Sequence, residues 1–200
     1  MKKRFIFILC SLFLCAGTIA ATDYNALQQG AVGDGKTLNT QSLQSAIDAL
    51  HAKGGGQLYF PAGCYLTGSL QLKSNVTLYL EKEAVLLGST SPYDYPGFST
   101  EKELKVNNDH FDQALIYAEG AENIGITGEG CIDGQGRELA LTIDSLHHTG
   151  ELVDKHYNTY RKRPNTRPKL LFMRNCRKVE LRKTNFRSGA AWGSVFRPDD

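Results

Sequence analysis

Basic side chains are concentrated in one stretch of this 200-residue sequence. Between Lys155 and Arg187 stand twelve lysines or arginines against a single acid, Glu180, and the block includes Arg161-Lys-Arg163-Pro and Arg167-Pro-Lys169. Arginine pairs carboxylates bidentately, so such a block suits a groove for a carboxylate-bearing polymer. It equally suits a solvated face that balances the preceding segment, where Glu101 to Asp154 carries twelve acids against three bases. A nucleic-acid surface is a third reading, against which counts that aromatic stacking residues are not interleaved with the charges in a recognisable module. His147, His148 and His156 form a cluster beside the block. Their spacing and the lack of a nearby thiolate fit no zinc site, so they read as loop or surface histidines. Asp109-His-Phe-Asp112 reads as loop in the same way. No serine sits in a strained glycine elbow, which removes the support for a nucleophilic triad.

The elements that would position these residues begin with a glycine-rich turn, Gly33-Asp34-Gly35. It leads into an amphipathic helix in which Leu43, Ala46, Ile47 and Leu50 recur at helical spacing. Asn39 or Thr40 is placed to cap the helix start, and Gly54-Gly55-Gly56 to stop it. Short strands follow at Gln57-Leu-Tyr-Phe-Pro, Tyr65-Leu-Thr, Ser69-Leu-Gln-Leu and Asn75-Val-Thr-Leu-Tyr-Leu. One helix followed by many brief strands predicts a parallel β-helix, with the helix plugging the open end of the solenoid. Asn75-Val-Thr-Leu-Tyr-Leu, Asn123-Ile-Gly-Ile-Thr-Gly and Lys178-Val-Glu-Leu-Arg-Lys resemble one another. Each sets a β-branched residue two before a Leu or Ile, so both face one side. Their offsets of 48 and 55 residues are read as two rungs apiece of roughly 20 to 29 residues, with loops inserted. Glycines such as Gly63, Gly88, Gly128 and Gly134 supply the corners. Two long insertions, 89–113 and 137–168, would build the walls of a surface groove, the second with a helical piece around Glu138 to Leu146.

Residues 1–21 read as a signal peptide. Lys2, Lys3 and Arg4 form its positive end, Phe5 to Ala16 its apolar stretch, and Thr18-Ile-Ala-Ala its cleavage site. The apolar run is shorter than the roughly 20 residues of a membrane span. Bulky Leu14 argues against lipoprotein anchoring at Cys15. The product is therefore expected to be secreted or periplasmic. Removing the signal lowers the formal charge from +2 to −1, which argues against a general nucleic-acid binder. Cys64, Cys131 and Cys176 remain; one disulfide is open to them, and their place in or beside strand-like segments favours buried core thiols. Residues 22–200 are long enough for one domain.

Several of these segments together resemble a known family. They are Gly30-Ala-Val-Gly-Asp-Gly, the helix from Thr40 to Ala52, Gly54-Gly-Gly-Gln-Leu-Tyr-Phe-Pro-Ala-Gly and Ser69-Leu-Gln-Leu-Lys-Ser-Asn-Val-Thr-Leu. Later come Gly130-Cys-Ile-Asp-Gly-Gln-Gly, Arg167-Pro-Lys-Leu-Leu-Phe and Ser188-Gly-Ala-Ala-Trp192. The chain resembles polygalacturonase-type enzymes, glycoside hydrolase family 28 within the pectate-lyase-like β-helix group. The resemblance implies an all-β, right-handed parallel β-helix with a short N-terminal capping helix. It also implies an acidic, pectin-like plant polysaccharide as substrate, inverting hydrolysis, and no cofactor or metal. The family's Asn-Thr-Asp, Asp-Asp, Gly-His-Gly and Arg-Ile-Lys motifs are absent, and Asp199-Asp200 matches one only in composition. Residues 22–200 are thus expected to be a partial β-helix without its catalytic rungs, inactive alone, and prone to self-association through an uncapped last rung. His147, His148, Arg161, Arg163 and Arg167 are the candidate substrate-binding residues, and none is assigned as catalytic. A polysaccharide lyase would need clustered carboxylates for calcium, which are scattered singly here. A non-catalytic carbohydrate-binding module is the remaining alternative.

Overall fold

Inward-facing apolar residues at every second position, and corners built from residues that accept positive φ, generate a triangular coil. The computed structural model describes residues 22–95, 114–151, 167–190 and 194–197. Sheet A contains β1 (Thr22–Asn25), β2 (Gly56–Phe60), β5 (Val76–Leu80), β8 (Glu122–Thr127) and β11 (Arg177–Arg182), in that order. Sheet B contains β3 (Gly63–Thr67), β6 (Ala84–Gly88), β9 (Cys131–Asp133) and β12 (Asn185–Arg187). Sheet C contains β4 (Leu70–Gln71), β7 (Ala114–Glu119), β10 (Lys169–Arg174) and β13 (Ser194–Arg197). All pairings among these strands are parallel, and the chain visits A, B and C in turn. This is the parallel β-helix that the strand pattern predicts.

Register corrects the reading of the repeat. Gly56 lies beside Val76, so an unadorned rung takes 20 residues. Thr77 pairs directly with Gly125, and Ile124 with Val179. The offsets of 48 and 55 residues are therefore single rungs, each lengthened by one insertion, and not two rungs apiece. Both insertions leave the end of a sheet-B strand and return to a sheet-C strand. The repeat length misleads because an insertion at a corner adds residues without adding a layer.

The core is a stack of columns. Leu58, Leu78 and Ile126 stack in sheet A, Tyr65, Leu86 and Ile132 in sheet B, and Leu70, Ile116 and Leu171 in sheet C. All nine side chains are at most 1% exposed. Full burial of such a side chain stabilises by roughly 1.5–3 kcal/mol, so these columns dominate the energetics. On β11 the pattern opens up, with Val179 half-buried and Leu181 exposed.

Helix α1 (Thr40–Ala52) turns Leu43, Ala46, Ile47 and Leu50 onto the first rungs and packs against β1, β2, β4 and β5. Gly54 and Gly55, at φ +97° and +124°, end it, with Gly55 N–H donating to the Leu50 carbonyl at 2.9 Å. Its start differs from expectation, since Asn39 makes no side-chain cap. The Asn39 side chain is instead buried and staples the preceding loop to β3. Oδ1 accepts from Val32 N–H at 2.6 Å, and Nδ2 donates to the carbonyls of Val32, Thr37 and Leu66 at 3.0, 2.8 and 3.2 Å. Asp34 holds the same loop by accepting from the Thr37 and Lys36 N–H groups and from Thr37 Oγ1, which lowers its carboxyl pKa to about 2.

The corner before sheet A repeats one backbone state at Asn75, Asn123 and Lys178, with φ +65°, +57° and +51°. Asparagine tolerates this left-handed state better than most residues, and Asn123 Nδ2 donates to Asn75 Oδ1 at 3.2 Å. The cysteines also depart from expectation. All three are free and half-buried, and Cys64 and Cys131 point outward from sheet B on either side of Val85. Desolvation pushes both thiols up, keeping them protonated at neutral pH.

Replacing Asn39 by alanine takes the side-chain acceptor from the Val32 N–H and the side-chain donor from the Val32 and Thr37 carbonyls in a buried site, while the Leu66 carbonyl keeps the backbone N–H of residue 39. We expect Asn39→Ala to lower the unfolding free energy by roughly 2–4 kcal/mol, measured by urea denaturation. A loss below about 0.5 kcal/mol, the range of an ordinary surface substitution, would remove the staple from the account.

Candidate functional site at the insertion corner

Both long insertions spring from the corner between sheets B and C, and the ladder of backbone hydrogen bonds continues through their roots. Ser89 N–H donates to the Thr67 carbonyl at 2.8 Å, Gly134 N–H to Arg187 at 3.1 Å, and Gly136 N–H to Ser188 at 2.7 Å. Glycine is required where the layers touch. A Cβ on Gly68 would lie 2.2 Å from the Asp94 carbonyl oxygen, and one on Gly136 would lie 2.6 Å from the Ala190 nitrogen.

The first insertion opens with a 3-10 turn, Pro92–Asp94, folded over Gly68. Ser69 N–H donates to the Asp94 carbonyl at 3.0 Å, and the Ser89 hydroxyl bonds the Asp94 carboxylate. Tyr95 is buried and donates its hydroxyl to the Ser89 carbonyl at 2.7 Å. Burial, with Asp94 close by, raises the Tyr95 phenol pKa far above its usual range. These contacts fix the start of the first insertion.

The second insertion opens at Gln135, a non-glycine residue at φ +45° whose Nε2 donates to the Gly88 carbonyl at 2.6 Å. Asp133 just before it accepts from Arg187 Nε at 2.8 Å and from Gln135 N–H at 3.0 Å. That hydrogen bond raises the Arg187 pKa. Helix α2 (Gly136–Thr149) follows and buries Leu139 and Ile143 in the same cluster as Leu115 and Leu170, from the outer face of sheet C. The chain returns through half-buried Arg167 to Lys169, which is 4% exposed with its Nζ 4.5 Å above the Phe172 ring.

With this geometry in place, the comparisons with known proteins are decisive. A model of the family described as rhamnogalacturonase A/epimerase, pectate lyase-like, matches residues 24–81. An exo-poly-α-D-galacturonosidase of Dickeya chrysanthemi is 41% identical over 132 residues, covering 62% of this chain and 22% of its own length. A Parabacteroides merdae protein provisionally described as a glycosyl hydrolase superposes with a TM-score of 0.74 at 33% identity, over 88% of this chain and 69% of its own. The chain belongs to glycoside hydrolase family 28, the polygalacturonase-type pectate-lyase-like β-helix proteins. A family 28 exopolygalacturonase of Yersinia enterocolitica gives a TM-score of 0.70 at 29% identity, over 88% of this chain and 37% of its own. The fold is accordingly right-handed. The chain spans less than a quarter of the length of the curated relatives it matches first.

Within this family 28 β-helix, the sequence-derived site residues fall in three places. His147 and His148 occupy the last turn of α2, half-buried and exposed respectively, on the helix side that also carries buried Asp144. Arg167 stands at the root where the insertion rejoins sheet C. Arg161 and Arg163 lie outside the described residues, as do His156 and Asp109–Asp112. The structure thus sets His147, His148 and Arg167 on one insertion. Sequence reasoning missed the Asp133–Arg187 pair, because the two are 54 residues apart and only the register brings them together. It also missed Tyr95 and Gln135, although the glycines on either side of Gln135 did mark a corner.

The Tyr95 hydroxyl satisfies a carbonyl at the root of the first insertion. Tyr95→Phe should cost about 1–2 kcal/mol in thermal or urea unfolding. An unchanged melting temperature would show that this root is held by other contacts.

Proposed function

We propose that this chain is the N-terminal β-helix of an exported, pectin-degrading glycoside hydrolase, polygalacturonase-like, acting by inverting hydrolysis on galacturonic-acid-containing polysaccharide. One observation carries the reading. Both insertions rise from a single corner of a scaffold that matches the Yersinia exopolygalacturonase over 88% of the chain. The 41% identity to the Dickeya galacturonosidase supports the same substrate class.

Inverting hydrolysis needs one carboxylic acid to protonate the leaving oxygen and one carboxylate to activate water, held ~6.5–9.5 Å apart. The acids at the insertion corner are otherwise engaged, Asp133 by Arg187 and Asp94 by Ser89. The described residues of this chain are read as groove wall and binding surface, and none of them is assigned as the acid or the base. Arg161, Arg163 and Arg167 would pair the carboxylates of the polymer, with His147 and His148 donating to its hydroxyls or packing on its rings.

The test uses the protein that carries the hydrolytic activity. Arg161→Ala with Arg163→Ala should weaken oligogalacturonate binding about tenfold or more, an effect that shrinks as salt rises. Unchanged affinity would sink the assignment of these arginines.

Export is supported by the charge and apolar pattern of residues 1–21, and no helix among the described residues is long and apolar enough to cross a membrane. N-terminal sequencing of the protein recovered outside the cytoplasm should begin after the Thr18-Ile-Ala-Ala segment. A product that keeps Met1 would end that reading.

A further inference from the structure

The outer face of sheet A, away from the insertion corner, carries a recess that the hydrolytic reading does not use. It lies where β1, β2, β5 and β8 run side by side, open to solvent, with a volume of about 460 Å³. Side-chain-free positions create it. Gly54, Gly55 and Gly56 form its floor. A Cβ on Gly55, at φ +124°, would fall 2.4 Å from the Asn75 Cβ, and one on Gly125 would fall 2.8 Å from Thr77 Oγ1. A larger residue at Gly55 would collide with the Asn75 backbone, and one at Gly125 would press on the Thr77 side chain.

Its polar lining is ordered by the same register. Asp23, Gln57 and Thr77 stand in one column across three strands, spaced by the ~4.8 Å between parallel neighbours. Asn75 and Asn123 form the flanking column at the corner. On the other flank Tyr59 and Tyr79 stack at 5.8 Å between ring centres, and the Tyr59 hydroxyl is fixed on the Glu81 carboxylate at 2.7 Å. The side chains of Asp23, Gln57 and Thr77 make no hydrogen bond within the described part of the molecule. Asn75 Nδ2 and Asn123 Oδ1 are likewise unengaged once the bond between those two residues is made. This contrasts with the insertion corner, where the polar groups are spent on holding the structure.

Among the described residues the lining offers amides, a hydroxyl and one carboxylate, and no cationic side chain. Such a surface has no basic side chain to pair a polyanion's carboxylates and suits the alternating hydroxyls of an uncharged sugar chain. The geometry points to an ancillary glycan-binding groove on the outer face of sheet A for a short neutral oligosaccharide. Asp23, Gln57, Asn75, Thr77 and Asn123 supply its hydrogen bonds, and the Tyr59–Tyr79 pair forms an apolar wall along one side. This site is separate from the proposed hydrolytic groove and does not depend on it.

Amide chemical-shift titration of the exported chain, residues 22–200, tests the proposal. The probes are neutral tetrasaccharides of β-1,4-linked glucose, galactose and mannose, with tetragalacturonate as the charged comparison. At least one neutral probe should give saturable shifts at Gln57, Thr77 and Asn123, while tetragalacturonate leaves those amides unmoved. Gln57→Ala with Thr77→Ala should weaken that binding about tenfold. Asn75 is left alone because of its φ of +65°. Gln57→Glu, which keeps the size and adds a charge at a half-buried outward position, should weaken it as well and guards against misfolding of the double variant. The proposal fails if no neutral probe moves these amides, if tetragalacturonate does, or if the folded variants bind as the parent does.

Discussion

Everything in this molecule depends on parallel strands stacking in register. Each rung has only two to six residues of strand per side, and none could bury its inner face alone. Register makes the burial additive: Leu58, Leu78 and Ile126 occupy one column because Gly56 pairs with Val76 and Thr77 with Gly125. A slip of one residue would turn an entire inner column to solvent. The corners enforce the register by demanding a left-handed residue at a fixed phase. Gly55, Asn75, Asn123 and Lys178 meet that demand in successive layers.

Because a corner interrupts no core column, it is where a solenoid can accept extra chain. Closing a longer loop costs free energy only logarithmically with its length. Two rungs carry long insertions at the same B-to-C corner, whereas the first rung crosses it with only Gly68 and Ser69 between β3 and β4. The consequence is that both insertions are rooted on one side of the stack, at Tyr95 and Gln135. The Asp133–Arg187 pair bridges successive rungs there. With Arg187 60% exposed it aligns the layers more than it stabilises them, as surface ion pairs contribute little.

The sequence made the scaffold readable wherever local chemistry and register agree. The α1 face, the triple-glycine stop and the short strands from Gln57 to Leu80 all follow from period and punctuation. Asn39 was misread because a polar residue before a helix normally caps it, and only the fold reveals that β3 lies within reach of its amide. The rung count was misread because insertion length is invisible to a repeat search. The arginines of the second insertion were legible as charge, but charge does not say which wall it decorates. Asp133 with Arg187, and the recess on sheet A, exist only through pairings across rungs, which no linear pattern displays.

Polar side chains on such a scaffold divide into two kinds, and the division separates construction from recognition. At the insertion corner, Ser89, Asp94, Tyr95, Asp133 and Gln135 are tied to one another or to backbone, so replacing them changes shape before it changes binding. On sheet A, Gln57 and Thr77 face outward in a column with no such ties. A strand needs no amide there, and β-propensity alone would favour a β-branched or aromatic residue over Gln57. The glycines that keep the space above Asn75 and Thr77 open carry a conformational cost of their own. Unengaged hydrogen-bonding groups around a recess that glycine maintains are what a ligand surface requires and what a purely structural face does not.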